Sequence, residues 1–139
     1  MKTTYSTNLS LPGVDAGLLV LRIGVGILML THGVPKLITL FGSEEIQFAD
    51  PFGLGEATTL VLAVFAEFLC SILVLIGLGT RLAVIPLMAT MLTAIFIVHA
   101  TDAFQVKELP VFYLLAYTVL LITGPGKYAL DFYWLKRKK

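Results

Sequence analysis

The stretch Arg22-Ile23-Gly24-Val25-Gly26-Ile27-Leu28-Met29-Leu30-Thr31-His32-Gly33-Val34-Pro35-Lys36 decides how this chain must fold. It lies inside a long apolar run, yet it places an Arg, a His and a Lys where hydrocarbon is expected. On a helix, Arg22, Gly26, Met29, Gly33 and Lys36 recur at i, i+4, i+7, i+11 and i+14, which keeps them on one face. His32 falls one turn before Lys36, on the neighbouring edge of that face. Leu, Val and Ile occupy the other sides. Ionisable groups at membrane depth face protein or a water-filled cavity, so the rest of the chain must supply what this stripe faces.

Composition supports a membrane setting. A soluble domain carries about 25% charged residues. This chain of 139 residues carries 14%, with 58% hydrophobic and a mean hydropathy of +0.92. One domain, residues 1–139, is the natural count at this length. Lys136, Arg137, Lys138 and Lys139 form a basic tail of the kind that flanks a membrane segment on its cytoplasmic side. No basic face or aromatic platform accompanies it, so nucleic acid is not an expected partner. The single cysteine, Cys70, excludes a C-x-x-C dithiol, a thiol quartet for zinc or iron–sulfur, and an intrachain disulfide. Met1 to Ser10 is short and polar with Lys2 as its basic residue, and reads as carrying no removable signal peptide.

Four helices follow. The first opens at the Pro12-Gly13 pair or at Asp15 and covers about 15–40, long enough to cross about 30 Å of hydrocarbon. Pro35 should kink or loosen its end. An acidic loop, whose Phe48 and Phe52 can lie at the headgroup level or fold back over the bundle, leads to a second helix at about 58–78, capped by Thr58 or Thr59. Gly77-Leu78-Gly79-Thr80-Arg81 turns the chain into a third helix at about 82–99, with Pro86 in its first turns. A turn from Thr101 to Pro110 precedes a fourth helix at about 110–123. Tyr128, Phe132, Tyr133 and Trp134 resemble an interfacial aromatic belt. The loops at 42–56 and 101–109 hold six acidic residues and one basic residue, Lys107. Positive-inside then predicts an N-in, C-in orientation, and short loops make sequential helices antiparallel neighbours. The expected fold class is all-α: an integral membrane four-helix bundle in contact with the lipid bilayer.

The candidate chemistry is sparse. At about 1.5 Å of rise per residue, His32 and Glu67 lie at roughly the same depth, with Lys36 about one turn above. A lone carboxylate there needs a partner or a proton. A Lys36–His32–Glu67 cluster around a polar pocket can serve a quinone head group or a proton relay. The same cluster can equally be an ion pair that fixes helix register. His32 and His99 invite a bis-histidine haem reading, but their depths differ by roughly 10 Å. No third ligand favours zinc or copper, and no metal site is assigned. Met88 and Met91 read as packing residues. Arg22 and Arg81 can meet lipid phosphate, cap a helix C-terminus or anchor in solvent. Tyr113 and Tyr117 are one turn apart and can point hydroxyls into the bundle, and interfacial packing explains Tyr113 equally well.

These blocks together resemble the DoxX family of small bacterial membrane proteins. The resemblance lies in Leu21-Arg22-x-Gly24-x-Gly26, His32-Gly33-x-Pro35-Lys36, Glu67, Gly77-Leu-Gly79-Thr80-Arg81-Leu-Ala, Met91 and Gly124-Pro125-Gly126-Lys127-Tyr128-Ala-Leu-Asp131. It implies a multi-pass protein of the bacterial inner membrane, related to a small DoxD-type subunit of a thiosulfate:quinone oxidoreductase. Arg22, His32, Lys36, Glu67 and Arg81 match the motif positions, and no catalytic residue carries over. The leading expectation is an accessory or quinone-interacting subunit of a membrane oxidoreductase. It would hold no covalently bound cofactor and would take electrons from a redox partner subunit or a bound quinone. A small-molecule, lipid or ion-handling module and a structural or assembly protein stand as alternatives, with homo-oligomerisation open.

Overall fold

The computed structural model describes residues 11–42 and 44–137. Lys2, the rest of Met1 to Ser10, Lys138 and Lys139 lie outside the described residues. The described chain is helical throughout, with no strand among the described residues. Four helices are long and apolar enough to cross a membrane: α1 Leu11–Phe41, α2 Glu56–Ile76, α3 Thr80–Val98 and α4 Phe104–Thr123. A short fifth helix, α5, covers Leu130–Lys136. Outward-facing side chains are large and aliphatic, with Leu82 75%, Ile122 72% and Ile38 67% exposed. Such a surface suits lipid and not water, because lipid imposes no hydrophobic penalty on it. The chain is a multi-pass membrane protein.

The face of α1 predicted to turn inward does so. Its buried residues are Arg22, Gly26, Met29 and Gly33. The glycines set how close α1 comes to α2. A Cβ on Gly26 would stand 3.0 Å from that of Leu75. One on Gly33 would stand 2.5 Å from the Glu67 carbonyl oxygen, so here backbone meets backbone. Small residues permit such approach in membrane bundles, where dispersion and not water expulsion holds helices together. Met29, Cys70, Val74, Leu87, Tyr117 and Leu120 fill the centre.

Element ends differ from the sequence expectation where a cap or a proline was the guide. Helix α4 starts at Phe104, six residues before the expected 110, so that Pro110 lies inside it. Proline biases the residue before it away from helix without forbidding it. Only the bond to the Val106 carbonyl is forgone, near the helix end. Helix α2 begins at Glu56 after Gly55, and no side-chain cap comes from Thr58 or Thr59. Asp50 holds this end from the preceding loop. Its carboxylate accepts from Leu54 N at 2.9 Å, Gly55 N at 2.8 Å and Thr59 Oγ1 at 2.9 Å. Helix α2 stops at Gly77 in the left-handed region, φ 74°, where Leu78 N donates to Leu73 O at 2.9 Å. Both α2 and α3 contain a π-helical stretch, Phe65–Cys70 and Ala94–Val98, which apolar periodicity does not reveal.

The Gly77–Arg81 and Gly124–Asp131 blocks build one end of the bundle around Arg22. This residue is fully buried, so the lipid-facing or solvated reading of Arg22 is corrected. Its guanidinium donates to Pro125 O at 3.0 Å, Val74 O at 3.2 Å, Leu75 O at 3.0 Å and to Tyr128 O. It therefore satisfies the orphan carbonyls at the end of α2 and acts as a helix C-terminal cap. Asp131 accepts from Gly79 N at 2.7 Å and Thr80 N at 3.0 Å, tying α5 to the start of α3. Arg81 is exposed and donates to Ile122 O at 3.3 Å.

Candidate functional site: a charged pair between two cavities

At the opposite end of the bundle the other charge of the stripe, Lys36, finds its partner. Lys36 Nζ contacts Glu67 Oε2 in an ion pair between α1 and α2. The Glu67 side chain is 7% exposed and that of Lys36 28%, so the carboxylate is the deeper partner. Two local features place Glu67. The Gly33 surface lets α1 pack directly on its peptide, and the π-helical stretch widens the turn that carries it. Single π-turns inside α-helices are frequent at functional sites.

The loop after α1 folds back over this pair, the second of the two placements open to its phenylalanines. Phe48 lays its ring 5.7 Å from Lys36 Nζ, a cation–π contact, while Phe52 stays exposed. The Asp50 carboxylate lies below the ordinary carboxylate range because the Gly55 amide, then Thr59 and the Leu54 amide, donate to its charged form.

Lys36 and Glu67 form part of the wall of two cavities. One, of about 260 Å³, is lined by His32, Met29, Met91, His99 and Tyr113 among others. The other, of about 530 Å³, is an apolar cleft between α2 and α3 under the loop, lined by Phe48, Leu62, Phe65, Pro86 and Thr90 among others. Lys36, Glu67, Ala94 and His99 border both. The two π-helical stretches thus contribute to one shared wall.

His32 does not hydrogen-bond to the ion pair in this geometry. Its ring meets Tyr113 edge to face at 6.1 Å, and Tyr113 stacks on Tyr117 at 6.0 Å. The Tyr117 hydroxyl is buried without a partner. His99 and Asp102, unassigned as site residues from sequence, belong here. His99 Nδ1 lies 2.7 Å from Asp102 Oδ2, and His99 borders both cavities. Their spacing of three residues was the available signal, but the turn that joins them had no periodicity to read. No group of three or more His, Cys, Asp or Glu side chains gathers as a metal site among the described residues.

Arranged this way, the site offers a cation for a carbonyl or anionic oxygen, a carboxylate and two imidazoles for protons, and an apolar cleft for a greasy body. Ligand sites commonly combine a mostly apolar lining with a few polar groups.

Comparison with known proteins agrees with this architecture. The DoxX family model matches residues 17–100. The Bacillus subtilis (strain 168) protein named "Putative oxidoreductase CatD" is 32% identical over 126 residues, covering 90% of this chain and 92% of the relative. The Escherichia coli (strain K12) protein named "Inner membrane protein YqjF" is 34% identical over 122 residues, covering 84% of this chain and 91% of the relative. No solved structure matches significantly.

Proposed function

We propose that this chain, which belongs to the DoxX family, is a quinone-interacting accessory subunit of an inner-membrane oxidoreductase system. The observation that carries the proposal is the position of the Lys36–Glu67 pair, at the border of a 530 Å³ apolar cleft and a 260 Å³ chamber with two imidazoles. A quinone has the matching division. Its ring and tail are apolar, and its carbonyl oxygens need donors and, on reduction, protons. Lys36 would orient a carbonyl oxygen, and the cleft between α2 and α3 would hold the ring and tail and exclude water. Bound there, a quinone would supply two-electron chemistry that no cysteine pair of this chain can perform. The electrons would come from a redox partner subunit. The name of the B. subtilis relative is consistent with a redox setting, and that of the E. coli relative with the inner membrane.

The excess of Lys and Arg at the Arg81, Lys127 and Lys136 end supports placing that end in the cytoplasm. The quinone site would then lie toward the outer leaflet.

The test is mass spectrometry on protein purified gently from its native membrane. The expected result is quinone near one per chain, lost in Lys36→Met. A protein that carries no quinone and takes none up at micromolar concentration removes the proposal.

A further inference from the structure

The quinone reading leaves open how protons reach a site covered by a folded loop, and His99 with Asp102 answers it. His99 directly follows the π-helical stretch of α3, and its amide donates to Ala94 O at 2.9 Å, a five-residue step. That register brings the imidazole to the wall of both cavities. Asp102 N donates back to His99 O at 3.1 Å, closing the turn, and Lys107 Nζ donates to Ala100 O at 2.8 Å. The turn is therefore held from two sides. The Asp102 side chain is 45% exposed and that of His99 35%, so this dyad is open to water where Glu67, 7% exposed, is not.

A carboxylate on Nδ1 selects the tautomer with its proton there and leaves Nε2 as the nitrogen that takes and releases a proton. The other ionisable groups on the 260 Å³ chamber are His32 and Lys36 from α1, Glu67 from α2 and Tyr113 from α4. Lys36 and Glu67 hold each other, and the Tyr113 ring lies between those of His32 and Tyr117. His99 is the imidazole in this wall that a carboxylate orients.

We infer that His99 carries protons between water at the Asp102 turn and the chamber beside Glu67, with Asp102 as its positioning residue. The inference rests on the quinone reading above. His99 Nε2 takes a proton from the solvent, forming the imidazolium, and releases it to a carbonyl oxygen of the quinone. A second cycle delivers the second proton, and the redox partner supplies the electron pair that completes the quinol. In the oxidative direction the same nitrogen accepts the protons and passes them out.

The test uses full-length protein in lipid with decylubiquinone as the probe, and has two readouts. Protein-film voltammetry of the loaded protein should show the proton-coupled rate falling at least tenfold in His99→Gln, less than the range of about 10²–10⁴ for a lost general acid–base because water substitutes in part. Asp102→Asn should flatten the pH profile of that rate, and Asp102→Glu should restore most of it. All rates are compared at saturating decylubiquinone, so that a change of affinity at the cleft wall is separated from the proton step. In ligand-free protein, ¹⁵N NMR of His99 should report the Nδ1–H tautomer in the wild type and its loss in Asp102→Asn. An unchanged rate or an unchanged tautomer, with decylubiquinone still bound, overturns the relay alone. A wild-type protein that binds no decylubiquinone overturns the quinone reading and the relay together.

Discussion

Lys36 and Glu67 are unequal partners, and mutation should reveal it. Glu67 is nearly enclosed, while Lys36 retains 28% exposure and a stem long enough to turn its ammonium toward water. Lys36→Met would strand a buried carboxylate, a loss of about 3 kcal/mol. Glu67→Gln keeps the shape and leaves a cation that can snorkel, so its cost should be nearer about 1 kcal/mol. Unfolding both variants in mixed micelles checks the order; a larger loss in Glu67→Gln would contradict the burial asymmetry. Arg22 makes a sharper case. Its planar fork reaches four carbonyls on two segments, and one ammonium cannot. Arg22→Lys should therefore lose about 3 kcal/mol in the same assay despite keeping its charge. The intramembrane charges of α1 were legible in the sequence as inward-facing, because helical spacing groups them with glycines. Depth along the helices also grouped Lys36 with Glu67, but that Arg22 is a cap and not a lipid-facing or solvated charge was not legible, since that depends on partners 52 to 106 residues away.

At the scale of elements, the close contact of α1 with α2 depends on Gly33. An alanine there would bring its Cβ to 2.5 Å from the Glu67 carbonyl oxygen and 2.8 Å from Phe68 N, both backbone atoms that cannot rotate aside. Gly33→Ala should cost about 2 kcal/mol, within the range for overpacking, and should disturb the Lys36–Glu67 pair; thermal unfolding and loss of quinone uptake would report the two effects. The loop before α2 has its own control. Asp50 is held below the ordinary carboxylate range by amide and hydroxyl donors that favour its charged form. Its contribution is present above that range, about pH 4, and is lost as pH falls through the lower folded value. Hydrogen exchange at the Leu54 and Gly55 amides, corrected for intrinsic rate, should show protection at neutral pH that fades below about pH 4. In Asp50→Asn, protection should be weak at both. Helix ends were the least legible elements. Thr58, Thr59 and Pro110 carry signals that are local biases, and tertiary contacts from Asp50 and the bundle override them.

For the whole molecule, the cleft is the property to test. A ligand that binds only the folded state at a hundred times its Kd adds about 2.7 kcal/mol of stability. Decylubiquinone should accordingly raise the unfolding midpoint of the wild type. In Ala89→Trp, which fills the 530 Å³ cleft from α3, the ligand-free midpoint should change little and the shift should vanish. A shift that survives in Ala89→Trp would place the ligand elsewhere. The sequence by itself determined the membrane class, the number of spans and the inward face of α1. These follow from hydropathy and helical spacing, which are local along the chain and need no partner to be read. Only the tertiary structure decided that Arg22 closes one end of the bundle, that His32 meets Tyr113 and not the Lys36–Glu67 pair at the other, and that His99, held by Asp102, borders the same chamber. Each of those facts depends on backbone approach at glycines and on π-helical register. A single extra residue in a turn rotates every side chain beyond it, and no periodicity in the chain announces where that happens.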